Sequence, residues 1–131
     1  MPPAIPHVPL SWGELLDKIT ILEIKCAKLS AEAALANVRN ELTLLNLVVE
    51  GQLIRRDELS GLTNALRAVN QALWDIEDEI RGKEARQEFD DGFIALARSV
   101  YRKNDERAAI KRRINDLLGS GIVEEKSYKS Y

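Results

Sequence analysis

Every proline in this chain lies ahead of Leu10: Pro2, Pro3, Pro6 and Pro9 are the whole set. Proline lacks a backbone donor and its ring clashes with the preceding turn, so it breaks helix interiors. From Leu10 to Tyr131 nothing of that kind interrupts the chain, and long helices are free to form. Only 7 glycines occur in 131 residues, while charged residues make up 31% and hydrophobic ones 45%. That balance suits helices with one apolar stripe and one solvated face, and disfavours a turn-rich β sandwich.

The apolar spacing bears this out along the whole length. Ser11 with Glu14 three residues on reads as a capping box, and opens a helix whose stripe is Leu15, Ile19, Leu22, Cys26 and Leu29. Ser30 reads as a second cap. The next helix carries Leu35, Val38, Leu42, Leu45 and Val49 on one face and is expected to end at Gly51. After a connection over 51–60, with Asp57 and Ser60 as alternative caps, a third helix runs through Leu62, Leu66, Val69, Leu73, Ile76 and Ile80 to Gly82. A fourth begins near Phe89 with Phe93, Leu96 or Ala97, and Val100; a fifth segment carries Ile110, Ile114, Leu117 and Leu118 and stops at Gly119. The expectation is an all-α antiparallel bundle of four to five long helices over residues 11–118. A proline-rich arm precedes it over 1–10, and a polar tail follows over 119–131.

Polar residues break this pattern in one place. If 89–118 is a single helix, Ala97, Val100, Asn104, Arg107, Lys111, Ile114 and Leu118 share one line, and three polar side chains interrupt an apolar seam. A polar group buried without a partner costs about 1–3 kcal/mol, so such a break calls for something to meet it. The other reading is a helix start at Asn104, with Asp105 and Glu106 in its first turn. Both stay open from the sequence, and a helix N-terminus carrying Arg107 and Lys111 would also attract an anion. Beside the third helix's stripe run Arg67, Asn70, Trp74, Glu77 and Arg81, the second wall of a polar cleft or the rim of the core. In the first helix, Glu14 and Lys18 read as a surface pair; Glu23 flanks the buried stripe and reads first as a solvated side chain, and is the preferred acid of this helix should one look into the bundle.

Charge is segregated. Asp75, Glu77, Asp78, Glu79, Glu84, Glu88 and Asp90 crowd one segment; Arg98, Arg102, Lys103, Arg107, Lys111, Arg112 and Arg113 crowd the next. The net charge is only −2, which gives no global field for nucleic acid or an acidic membrane. The one histidine, His7, sits in the arm, and the one cysteine, Cys26, sits in a core stripe. A histidine-rich metal centre, a zinc site and an internal disulfide therefore lack their residues. With no leader pattern and no membrane-length apolar run, the expected compartment is the cytoplasm.

Five strings carry a resemblance: GELLDKITILEIK (Gly13–Lys25), LWDIEDEIR (Leu73–Arg81), ARSVY (Ala97–Tyr101), NDERAAIK (Asn104–Lys111) and EEKSY (Glu124–Tyr128). In this order they resemble a small all-helical bacterial domain family of unknown function, over nearly the whole chain outside the proline-rich arm. The resemblance implies the fold and brings no established activity. Loosely, relatives look similar to modules found near glycosyltransferase or cell-surface polysaccharide functions.

Three functions fit these residues. The first is a binding or interaction module that holds an anionic small molecule, such as a phosphorylated metabolite or sugar nucleotide. Its cleft would be built by Trp74, Glu77, Arg98, Tyr101, Asn104, Arg107 and Lys111. The second is a small metal-assisted hydrolase or transferase that uses Glu77 and Asp78 with Glu14 or Glu23. The third is a structural homo-oligomer assembled through the heptad stripes.

Overall fold

A computed structural model describes residues 4–52, 57–127 and 129–131. Among the described residues there are four helices: α1 (Trp12–Lys28), α2 (Glu32–Gln52), α3 (Asp57–Ala85) and α4 (Asp91–Leu118). The chain is all-α, with no strand among the described residues.

Local signals fix most of the ends. Ser11 caps α1, its hydroxyl accepting the Glu14 N–H at 3.2 Å. Asp90 caps α4 in the same way, accepting from the Phe93 N–H at 2.9 Å while Lys83 holds its carboxylate at 3.0 Å. Gly119 closes α4 in the left-handed conformation at φ 60°, where a side chain would be strained. Four sequence expectations are corrected, at Ser30, Gly51, Gly82 and the 51–60 connection. Ser30 is not the cap, because α2 opens one residue later, with Ala31 accepting from Leu35. Gly51 and Gly82 lie inside α2 and α3, one and three residues short of the ends at Gln52 and Ala85, and the propensity cost of one glycine, about 1 kcal/mol, stops neither helix. The expected 51–60 connection is correspondingly shorter; its centre, 53–56, lies outside the described residues. The fourth and fifth segments are one uninterrupted helix through Asn104, which leaves four helices among the described residues.

α1 is the central element, packing against each of the other three, and α3 pairs with α4 as a long hairpin. Leu15, Leu16 and Ile19 of α1 meet Leu59, Leu62 and Leu66 of α3 and Ile114 of α4. Leu66 and Ile114 are fully buried. Leu42, Leu45 and Val49 of α2 close over this cluster, as their shared stripe predicts. The hairpin outruns the core. From Trp74 through Ile110 no residue is buried, and Phe89, Ile94 and Tyr101 are exposed. No helix among the described residues is long and apolar enough to cross a membrane.

Candidate functional site

The polar break in the α4 seam meets α1. Three contacts place the two helices antiparallel: Gly13 with Asn115, Glu14 with Lys111, and Asp17 with Arg107. Asp17 is at the centre, 1% exposed. Its Oδ1 accepts from Arg107 Nε and from Asn70 Nδ2, both at 2.9 Å, and its Oδ2 accepts from Arg107 Nη2. The guanidinium thus grips the carboxylate with two parallel hydrogen bonds, the geometry that favours arginine over lysine. Asn70 also donates to the Thr20 hydroxyl at 2.9 Å, and that hydroxyl donates to the Asp17 carbonyl at 2.8 Å. One turn further along α4, Lys111 Nζ donates to Glu14 Oε2 at 2.6 Å and stands 3.3 Å from Glu124 in the tail. Asn115 then accepts the Gly13 N–H at 2.7 Å. Among the described residues no buried side-chain nitrogen or oxygen lacks a partner.

This closeness requires Gly13. A Cβ there would stand 2.5 Å from the Lys111 carbonyl oxygen and 3.0 Å from Asn115 Oδ1. The absence of a side chain lets α1 approach α4 closely enough for Asp17 and Glu14 to reach the cations.

The electrostatics follow from the contacts. Burial pushes the Asp17 carboxyl up, but hydrogen bonds from Arg107 and Asn70 and the charges of Arg107 and Lys111 outweigh it and hold Asp17 below its ordinary 3.8. Burial likewise raises Glu14. The Lys111 hydrogen bond and the Lys111 charge bring it below 4.5, against the opposing charge of Asp17. Burial alone would lower Lys111, yet Glu14 and Asp17 raise it. Carboxyls with depressed folded values contribute stability that is complete above their unfolded values and is lost as pH falls through the folded ones. The urea midpoint should therefore drop as pH is taken from about 5 toward 3. Asp17→Asn should be less stable near neutrality and show a shallower acid slope. An unchanged slope in that variant would remove Asp17 from the account.

The seven residues expected to form a cleft are divided. Asn104, Arg107 and Lys111 do come together with α1, and Asn104 Oδ1 lies 3.4 Å from Arg107 Nη1. Their charges face Asp17, Glu14 and Glu124 of the chain itself. In the antiparallel α3–α4 register, set where Ala65, Ala68 and Val69 share a groove with Glu106, Ala109 and Ile110, Trp74 falls at about the height of Tyr101 and Glu77 at about that of Arg98. These four lie on the outlying half of the hairpin, where Trp74 is half-buried and the other three are exposed. Of the α3 stripe, Asn70 joins the Asp17 network, while Arg67 turns to Glu23 at 2.7 Å. Glu23 is thus a half-exposed pairing partner, and Asp17 is the acid inside the bundle. Glu14 belongs to Lys111, while Lys18 is exposed. Among the described residues no three metal-ligating side chains gather.

A second feature lies beside the network. The tail runs back along α4, with Glu125 on Arg112 at 2.9 Å and the Tyr131 hydroxyl on Asp105 at 2.5 Å. Tyr131 meets Tyr101 edge to face, ring centres 4.9 Å apart. Together they wall an open groove of about 600 Å³, lined by Val100, Tyr101, Asn104, Asp105, Lys126, Lys129 and Tyr131. The polar composition of the tail gave no signal for this. The tail folds back because Arg112, Lys111 and Asp105 present charge and hydrogen-bonding partners along one side of α4.

No curated protein and no solved structure matches the chain. A family model does, across residues 7–131, so that the tail over the groove falls inside the match along with the four helices. The chain belongs to the family of unknown function DUF6165.

Proposed function

We propose that the protein is a non-catalytic binding module that takes an anionic small molecule, a phosphorylated or carboxylated metabolite or sugar nucleotide, in the groove between α4 and the tail. The groove itself carries this reading. Its volume falls within the usual range for small-molecule sites, about 300–1,000 Å³, and it combines tyrosine rings with lysines and an amide, while its one carboxylate, Asp105, is taken up by the Tyr131 hydroxyl. Tyr101 and Tyr131 offer faces for a ring to stack on, Asn104 offers a donor and an acceptor, and Lys126 and Lys129 flank the opening. Arg107 and Lys111 play a supporting part in this reading. Their charges are balanced by Asp17, Glu14 and Glu124, and they fix the height at which Asn104 and Tyr101 stand on α4.

Calorimetric titration with uridine diphosphate, uridine diphosphate glucose and inorganic phosphate tests the assignment. At least one probe should bind. Lys129→Ala should weaken it about tenfold, as expected for the loss of one charge-assisted hydrogen bond. Tyr101→Ala should discriminate the nucleotides from phosphate. Equal affinity in wild type and both variants, or no binding by any probe, would refute the groove as an anion site.

A further inference from the structure

We propose that the face of the α3–α4 hairpin turned away from α1 packs against a second copy of this chain, each α3 lying on the other copy's α4 about a two-fold axis along the hairpin. α1 occupies only one side of the hairpin, the side of Leu66 and Asn70 on α3 and of Arg107, Lys111 and Ile114 on α4. α2 packs on α1, and its side chains reach the hairpin only where they join the core cluster on that same side. On the opposite side an open groove of about 520 Å³ runs between α3 and α4, with Ala65, Ala68, Val69, Ala109 and Ile110 as its apolar floor and Lys103 and Glu106 at its edge.

Charge identifies the occupant. Continuing that face toward the hairpin tip at helical spacing, α3 presents Ala68, Ala72, Asp75 and Glu79; α4 presents Ala109, Glu106, Arg102 and Arg98. The antiparallel register puts Asp75 and Glu79 at the same height as Arg98 and Arg102. Among the described residues none of Glu79, Arg98 and Arg102 forms an ion pair, and Asp75 accepts only from Gln71, at 3.1 Å. A two-fold axis parallel to the hairpin lays α3 over the second copy's α4 without a shift in height. Both acid strips then land on basic strips, in an interface that is complementary to itself. The same packing makes four helices of two. A lone two-helix arm has no second layer to cover it, and here it leaves every residue from Trp74 to Ile110 less than buried. The ligand groove lies on another side of α4, so this proposal is independent of it.

Sedimentation velocity on the full chain supplies the test. The wild type should be a dimer at low salt and should weaken as salt is raised. Arg98→Glu with Arg102→Glu should raise the dimer dissociation constant at least about tenfold, and Asp75→Lys with Glu79→Lys should do the same. Mixed in equal amounts, the two variants should form a heterodimer, because each strip again meets its opposite. Circular dichroism confirms in each case that the helices are intact. A monomeric wild type would overturn the proposal. So would variants that dimerise as well as the wild type, or well-folded variants that stay apart when mixed.

Discussion

Arg107→Ala should lower the unfolding free energy by about 3 kcal/mol, the scale seen when one member of a buried ion pair is removed. The expectation rests on what the truncation leaves behind. Asp17, 1% exposed, would keep Asn70 on Oδ1, with Lys111 at 3.9 Å from Oδ2, but would lose both hydrogen bonds of the guanidinium. A carboxylate in that position either stays charged without its main partner or takes up a proton, and each costs stability. Arg107 is itself 28% exposed, which keeps the figure at the lower end of the range. Arg107→Lys should recover only part of the loss, since an ammonium cannot form the paired contact. Urea denaturation at neutral pH measures both. A loss below about 1 kcal/mol, the level of an exposed pair, would reduce the contact to a surface interaction.

Gly13→Ala should destabilise the protein by about 2 kcal/mol, the opposite of what helix propensity alone gives. In an exposed helix interior, glycine to alanine is favourable by about 1 kcal/mol. Here the added methyl would stand 2.5 Å from a backbone carbonyl of α4, and backbone cannot swing aside as a side chain can. Either α1 lifts away, lengthening the Glu14–Lys111 and Asp17–Arg107 contacts, or the methyl is overpacked, at about 1–3 kcal/mol. Gly61 is the internal control. It lies in α3 with nothing within 4 Å of its added Cβ, so Gly61→Ala should be neutral or stabilising. If both substitutions stabilise, the close approach of α1 and α4 is not as described.

The helices were largely legible in the sequence, because stripes such as Leu62–Leu66–Val69–Leu73 repeat at a period only a helix satisfies, and because Ser11 and Gly119 signal ends by local chemistry. Asn104 was ambiguous for an equally local reason: it is a good cap and also a tolerable interior residue. Its place inside α4 is decided by packing on both sides of it.

The interruption of the α4 seam by Asn104, Arg107 and Lys111 was visible in the sequence; their partners were not. Helical periodicity identifies one buried stripe, which suffices for a helix at the surface. α1 is surrounded by three helices, and the side carrying Gly13, Asp17, Thr20 and Ile24 is buried as well. Nothing in the spacing separates Asp17 from Glu23, since each flanks the apolar stripe. The choice between them is made by where α4 lies, and that depends on contacts between residues about 90 positions apart. The sequence by itself determined that this chain is a set of long rods with a polar gap in one seam. Only the tertiary structure decided that Asp17 fills the gap from within, because a charge is neutralised by whatever folding brings within hydrogen-bonding reach, and one-dimensional spacing does not record that distance.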